Sequence, residues 1–121
     1  TDNRLYSYYD CDVRPLFMGS ADPKSFLLKW IYQYLKYPKA AVENGIQGRV
    51  IVDFVIDNEG NVDDVRVARS ADPLLDAEAI RVVKASPRWK PGLVKGSPVS
   101  TSMSVAVDFM LTRKGKFGIK K

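Results

Sequence analysis

The chain has 121 residues, of which 45% are hydrophobic and 27% are charged, so it is long enough for one compact domain and too short for two comfortable ones. A domain of this length needs neither disulfide bonds nor a structural metal, and its single cysteine, Cys11, cannot form an internal bridge. The net charge of +5 favours anionic partners without indicating nucleic acid. Because the chain has no histidine, it lacks the commonest general base and transition-metal ligand, which argues against an enzyme.

The two ends of the chain are expected to lie outside the folded domain. No apolar run approaches the roughly 20 residues that cross a bilayer. Because residue 1 is Thr and not an initiator Met, we expect the chain to be a piece of a longer or processed protein. Residues 1–19 are rich in tyrosine without a period, and we interpret them as an extended lead-in whose residues 15–18 dock on the core. The domain itself is expected over residues 20–112, followed by a basic tail over residues 113–121.

A first helix is predicted from Asp22-Pro23, which combines an N-cap acceptor with a proline suited to the first helical turn. Apolar residues then recur at helical spacing up to Pro38. They are Phe26, Leu27, Trp30, Ile31, Tyr34 and Leu35. Residues 39–44 are expected to add one more turn, which Gly45 ends.

A β-hairpin is predicted next, because residues 49–57 alternate apolar and polar side chains with the period of a half-buried strand. Residues 57–60 (Asp-Asn-Glu-Gly) form a tight turn, with glycine where φ is expected to be positive. Residues 61–70 return as the second strand.

A second helix begins at Asp72-Pro73, which repeats the capping device of the first. The stretch 86–92 (Ser-Pro-Arg-Trp-Lys-Pro-Gly) ends this helix, and we expect Trp89 to anchor the turn in the core. A loop through Gly96 and Pro98 follows, and then residues 103–111 alternate again as a third strand.

The order helix, strand, strand, helix, strand predicts an α+β fold in two layers. A hairpin followed by a right-handed helical crossover places the three strands in the order second, first, third, with both helices on one face of the sheet. The third strand is then expected to lie at the border of the sheet with a free edge.

Two patterns resemble functional sites: a calcium-binding loop and a cysteine nucleophile. Residues 57, 59, 61 and 63 alternate oxygen ligands as a calcium loop does, but Val62 and Ala68 stand where such a loop needs Gly and Glu. A hairpin turn explains the same residues. No histidine is present to activate Cys11 as a nucleophile. We therefore expect no catalytic residue, no metal and no cofactor.

Several short motifs, in this order and at this spacing, resemble the C-terminal domain of TonB-type energy transducers. They are Tyr37-Pro38 with Ala41, Gly48-X-Val50, the turn at 57–60, Leu75-Asp76 with Glu78-Ala79, and Pro87-X-Trp89-X-Pro91-Gly92. The resemblance runs from about residue 15 to residue 111 and covers the whole predicted domain. One departure is Ala106, which stands where many relatives have proline.

The resemblance implies a periplasmic domain of a protein anchored in the inner membrane of Gram-negative bacteria. Such domains bind the TonB box, a short extended peptide of outer-membrane TonB-dependent transporters, and a proton-driven motor complex pulls through that contact to admit iron chelates, cobalamin or glycans. A small domain with an exposed strand edge suits this role, because an extended peptide can bind by strand addition.

The residues that the resemblance assigns to peptide binding form two groups. The first is Lys36, Tyr37 and Pro38, and the Tyr-Pro pair is equally well explained as a helix stop with a packed ring. The second is the last strand, represented by Ser102, Ser104, Val105, Ala106, Val107, Asp108 and Phe109. Two alternatives remain open: a cell-envelope module that binds glycan or polyanion without transmitting force, and a homodimer formed through the free strand edge.

Overall fold

The computed structural model of the protein describes residues 4–111, so the predicted basic tail at 113–121 lies outside the described residues. The predicted α+β class is confirmed. In chain order the elements are β1 (Leu5–Ser7), a 3-10 helix (Tyr8–Asp10), α1 (Pro23–Phe26), a π-helix (Leu27–Ile31), α2 (Tyr32–Tyr34), α3 (Lys39–Glu43), β2 (Gly48–Ile56), β3 (Val62–Arg69), α4 (Pro73–Lys84), β4 (Gly92–Val94) and β5 (Ser97–Phe109). The π-helix joins α1 to α2 without a break, and residues 23–34 are called the first helix below.

The sheet has the order β1-β5-β2-β3, with β4 paired to β5 off this path. The three predicted strands are β2, β3 and β5, and their predicted order is confirmed. β2 and β5 pair antiparallel over nine residues, from Gly48 opposite Phe109 to Ile56 opposite Thr101. β2 and β3 also pair antiparallel, with two shifts of register.

Two strands were not predicted. β1 pairs in parallel with β5, with Leu5 opposite Ser100 and Ser7 opposite Ser102. The expectation that the third strand lies at the border of the sheet is therefore wrong, because β1 covers residues 100–102 of β5, just before the predicted strand. A three-residue strand is too short to show the period of two, and its partner lies at the other end of the chain.

The loop expected around Gly96 and Pro98 is instead a tight hairpin turn between β4 and β5. Its two central residues, Lys95 (φ 51°) and Gly96 (φ 78°), both have positive φ, the arrangement that matches the twist of the flanking strands. β5 consequently begins at Ser97, well before the predicted start at Met103.

One face of the sheet carries the core. Side chains of β2 and β5 alternate between this face and the solvent, and both the first helix and α4 contribute to the same buried cluster. The residues of the two strands in this cluster are Val50, Val52, Phe54, Ile56, Met103, Val105, Val107 and Phe109. The predicted arrangement of two layers, with both helices on one face, is therefore confirmed.

Both helices begin as predicted. The Asp22 carboxylate accepts a hydrogen bond from the Lys24 N–H at 3.0 Å, and the Asp72 carboxylate accepts one from the Leu74 N–H at 2.9 Å. Each acidic side chain thus satisfies one of the N–H groups that the first helical turn leaves unpaired.

The first helix contains a π-helical turn that adjusts which side chains face the core. Its fully buried residues Phe26 and Ile31 are five positions apart, the spacing of a π-helix, in which hydrogen bonds join residues i and i+5. The indole N–H of Trp30 donates to the carbonyl oxygen of Val82 in α4 at 3.0 Å. This bond ties the π-helical turn to the second helix.

Trp89 anchors the segment after α4 in the core, as predicted, and is 4% exposed. Its ring lies 5.1 Å from the ring of Phe17 and 4.9 Å from that of Phe26. Its backbone N–H donates to the carbonyl oxygen of Gly60 at 2.8 Å. A Cβ atom at Gly60, where φ is +88°, would stand 1.9 Å from the Trp89 carbonyl oxygen, so the turn has room for glycine alone.

We expect Gly60→Ala to lower the free energy of unfolding by about 2–5 kcal/mol, because left-handed backbone strain adds to overpacking against Trp89. Gly45→Ala is the matched control, since Gly45 also has a left-handed φ of +64° but nothing lies within 4 Å of its Cβ position. It should cost only the backbone strain, about 1–2 kcal/mol. Urea unfolding of both variants measures the difference, and equal losses would show that the contact with Trp89 does not constrain the turn.

Candidate functional site

The candidate site is the side of β5 that faces away from β2, over residues 103–109. β1 covers this side of β5 only as far as Ser102. Within residues 4–111, no strand pairs with it beyond that point. We call this stretch the open edge.

The hydrogen bonds at the end of β5 show which backbone groups point outward along the open edge. The N–H of Asp108 donates to the hydroxyl of Tyr32 at 3.2 Å and so points away from β2. Because backbone groups alternate in direction along an antiparallel strand, the N–H groups of Ser104 and Ala106 point the same way. The open edge therefore offers an added strand the N–H and C=O groups of these two residues.

The open edge begins at a groove of about 560 Å³ where β1 gives way to the 3-10 helix. Its lining combines tyrosine rings with small and charged side chains: Leu5, Ser7, Tyr8, Tyr9, Pro23, Asp53, Phe54, Val55, Asp64, Arg66, Ser102, Met103 and Ser104. Tyr9 is 78% exposed there. The groove thus runs from the start of the open edge across the solvent face of the sheet to Asp64 and Arg66 of β3.

The open edge ends at Tyr32. Its side chain is partly buried, and burial raises the pKa of the hydroxyl, an effect that the hydrogen bond from the Asp108 N–H opposes. The hydroxyl is therefore protonated at neutral pH. On the adjacent solvent face, the guanidinium of Arg49 binds both carboxylate oxygens of Asp108, at 2.6 and 3.1 Å.

The structure divides the predicted residues of the last strand by their direction. Val105, Val107 and Phe109 turn their side chains into the core, and by the same alternation their N–H groups face β2. Ser104 lies on the solvent face, where its hydroxyl donates to the carboxylate of Asp53. Ser102 already lies opposite Ser7, so only Ser104, Ala106 and Asp108 of the predicted set contribute backbone groups to the open edge.

The predicted residues at the Tyr-Pro pair support the end of the open edge. The ring of Tyr37 packs edge-on against Phe109, with centroids 5.5 Å apart, and its hydroxyl donates to the carbonyl oxygen of Ile46. The backbone N–H of Lys36 donates to the carboxylate of Glu78 in α4 at 2.6 Å. Pro38 directly precedes α3 as its N-cap residue. This geometry gives the Tyr37 ring a packing role beside the last residue of β5.

The opposite border of the sheet, β3, is a poor surface for strand addition. Its pairing with β2 is shifted between Asp53 and Val55, and Asp64 there has a φ of +47°. Arg66 binds both carboxylate oxygens of Asp64, at 2.8 and 3.0 Å. Bulges and charged side chains are how native proteins protect sheet borders from pairing, so the open edge of β5 is the better site.

The described part of the chain offers little else that could carry chemistry. Among residues 4–111 no group of three or more His, Cys, Asp or Glu side chains is placed to hold a metal ion, and no helix of that range is long and apolar enough to cross a membrane. Cys11 lies with its Sγ 3.4 Å from the Thr101 hydroxyl oxygen. The site is thus built from backbone groups rather than reactive side chains.

Two features of the site were missed in the sequence. The three residues Leu5-Tyr6-Ser7 are too few to show the period of a strand, and a strand of this length is ordered by its partner. Tyr32 falls outside the predicted apolar stripe of the first helix, and the π-helical turn just before it changes which way it faces. No signal in the sequence marks that turn.

Comparison with known proteins agrees with this architecture. Residues 33–111 match the sequence model of the family described as Gram-negative bacterial TonB protein C-terminal. The Protein TonB of Pseudomonas aeruginosa is 29% identical over 108 residues, which cover 89% of this chain and 28% of that protein. The chain therefore spans little more than a quarter of the length of this relative.

Two solved structures share the fold. The solution structure of the Pseudomonas aeruginosa TonB C-terminal domain is 28% identical, with a TM-score of 0.51 over 95% of this chain and 94% of that one. A Helicobacter pylori TonB C-terminal domain has a TM-score of 0.60 at 21% identity, over 78% of this chain and 85% of that one. Since the family match spans more than half of the chain, this protein belongs to the family of TonB C-terminal domains.

Proposed function

We propose that this chain is the periplasmic domain of a TonB-type energy transducer that binds the TonB box peptide of outer-membrane TonB-dependent transporters. The peptide adds as a strand to the open edge, where it pairs with the outward backbone groups of Ser104 and Ala106. The observation that carries this proposal is the direction of the Asp108 N–H, which assigns the outward positions of β5. Strand addition uses backbone groups for affinity and needs no catalytic side chain, so the domain acts as a binding module and not as an enzyme.

Transmission of force belongs to the same proposal. The remainder of the protein, outside this chain, would anchor it in the inner membrane and connect it to a proton-driven motor complex. β1 is the first described element, and it pairs with β5 itself. A pulling force that enters through the chain before β1 would therefore act on β5, the strand that holds the peptide. Through the bound peptide, the same force would act on the transporter during nutrient uptake.

A proline scan of β5 tests the site. Ala106→Pro should leave the free energy of unfolding nearly unchanged, because its outward N–H is not part of the pairing with β2. It should weaken binding of a synthetic TonB box peptide, taken from a transporter of the same genome, by about 1 kcal/mol, the net value of one hydrogen bond. Calorimetric titration and urea unfolding measure the two quantities.

Two variants serve as controls for this scan. Ala106→Ser keeps the N–H and should bind like the unmodified protein. Val107→Pro removes a bond to β2 and should destabilise the fold by about 3 kcal/mol or more. If Val107→Pro is tolerated and Ala106→Pro unfolds the domain, the assigned directions of the backbone groups are wrong; if Ala106→Pro binds undiminished, the peptide docks elsewhere.

Salt separates this proposal from a module that binds glycan or polyanion through basic side chains. Strand addition should weaken only modestly between about 50 and about 200 mM salt, whereas polyanion binding through six or more charge contacts falls by roughly a thousandfold or more. Titration of the same peptide and of heparin at both salt concentrations measures this. Tight heparin binding that collapses with salt, alongside no peptide binding, would favour the polyanion module.

Homodimerisation through the open edge would use the same backbone groups as the peptide. Sedimentation at increasing protein concentration, with and without peptide, measures it. A dimer that the peptide dissociates would show that a second copy competes for the open edge, whereas a dimer unaffected by peptide would place the contact elsewhere.

A further inference from the structure

The side chain at the far end of the open edge belongs to Tyr32, which lies just outside the segment 33–111 that matches the family model. Its hydroxyl oxygen accepts the outward N–H of Asp108 at 3.2 Å. In a strand added along β5, a carbonyl oxygen of the peptide would accept that N–H. The Tyr32 hydroxyl thus stands where the backbone of a longer bound peptide would have to pass.

We propose that Tyr32 terminates the peptide-binding edge, so that a bound strand pairs with Ser104 and Ala106 and stops at the Tyr32 side chain. Tyr32 is then a specificity-determining residue, because it sets how far a peptide extends along β5 and in which register. The inference rests on the proposed function, and it specifies the length and register of the peptide segment that the open edge binds.

A peptide gains nothing by pushing Tyr32 aside. It would replace the hydrogen bond between Asp108 and Tyr32 with another bond to the same N–H, so this donor would gain no hydrogen bond. It would also expose the partly buried ring of Tyr32, whose hydroxyl is desolvated enough for its pKa to be raised. Because burial of aromatic surface is favourable, the bound strand is more stable when it ends before Tyr32.

The π-helical turn holds Tyr32 at this position. The backbone N–H of Tyr32 is bonded to the carbonyl oxygens of Leu27 and Trp30, and the Trp30 indole is fixed to Val82 of α4 at 3.0 Å. π-helical turns are rare and occur often at functional sites. These bonds fix the backbone position of Tyr32, from which its side chain reaches the Asp108 N–H.

Pro23 and Tyr32, near the two ends of the first helix, lie near the two ends of the open edge. Pro23, its first residue, lines the groove together with Ser104, and Tyr32 reaches Asp108. The ten residues from Pro23 to Tyr32 rise about 13 Å as helix, close to the span of about 13 Å from Ser104 to Asp108 in an extended strand. A bound strand therefore lies between the end of β1, opposite Ser102, and Tyr32, and its length is bounded at both ends.

The test combines two variants with peptides of different length. Tyr32→Ala removes the whole side chain, and Tyr34→Ala is the matched control, because Tyr34 lies on the same helix and is 54% exposed. The probes are a short synthetic TonB box peptide and two versions that carry two more residues of the transporter at one end or the other. Urea unfolding confirms that both variants fold.

In the unmodified protein and in Tyr34→Ala, we expect the longer peptides to bind within about twofold of the short one. In Tyr32→Ala, one of the longer peptides should bind about fivefold more tightly than the short one, the gain from one added hydrogen bond to the freed Asp108 N–H. The Asp108 amide should exchange with solvent faster in free Tyr32→Ala than in the unmodified protein, and that longer peptide should protect it again.

Two other outcomes are informative. The inference is overturned, while the proposed function stands, if lengthening the peptide tightens binding to the unmodified protein as much as it tightens binding to Tyr32→Ala. It is also overturned if peptide binding to the unmodified protein shifts the Asp108 amide and the Tyr32 ring resonances together, because Tyr32 is then displaced. If no peptide binds any of the proteins, the proposed function fails and the inference fails with it.

Discussion

The nine-residue antiparallel pairing of β2 with β5 is the constraint on which the rest of the structure depends. Side chains and backbone hydrogen bonds both alternate with a period of two along a strand. A single register therefore settles two things at once: Val105, Val107 and Phe109 enter the core, and the N–H groups of the residues between them point outward. A shift by one residue would reverse both. Burial of the core side chains therefore fixes the register, and the register fixes which backbone groups point outward along the open edge.

The open edge is useful because it is short and bounded. β1 covers β5 up to Ser102, and Tyr32 caps it at Asp108. A long unprotected border would pair indiscriminately with other chains. The sheet has a second border at β3, but a bulge and the pair of Asp64 with Arg66 obstruct it. Among residues 4–111, the open edge is therefore the stretch of strand border best suited to the proposed addition of an extended peptide.

Local chemistry explains why most elements could be read from the sequence. The Asp22 and Asp72 caps each bind an N–H only two residues further along the chain. The alternation along β2 indicates burial on one face of a sheet and does not depend on which strands lie beside it. The turn at Gly60 could be predicted because glycine readily adopts the positive φ that the turn needs. The core position of Trp89 could be predicted because a large aromatic side chain stands between two prolines. Together with the family motifs, these signals specified three strands, two helices and their order.

The features that shape the candidate site depend on contacts between distant parts of the chain, and no local pattern encodes them. β1 is a strand because its three residues meet the free backbone of β5, and Lys95 with Gly96 forms a tight turn because β4 pairs with the start of β5. Tyr32 faces the end of β5 because a π-helical turn is held in place by α4. Local propensity therefore accounts for the identity of the elements, whereas the free stretch of β5 and its limits arise from which surfaces were left without a partner after the sheet and helices had packed.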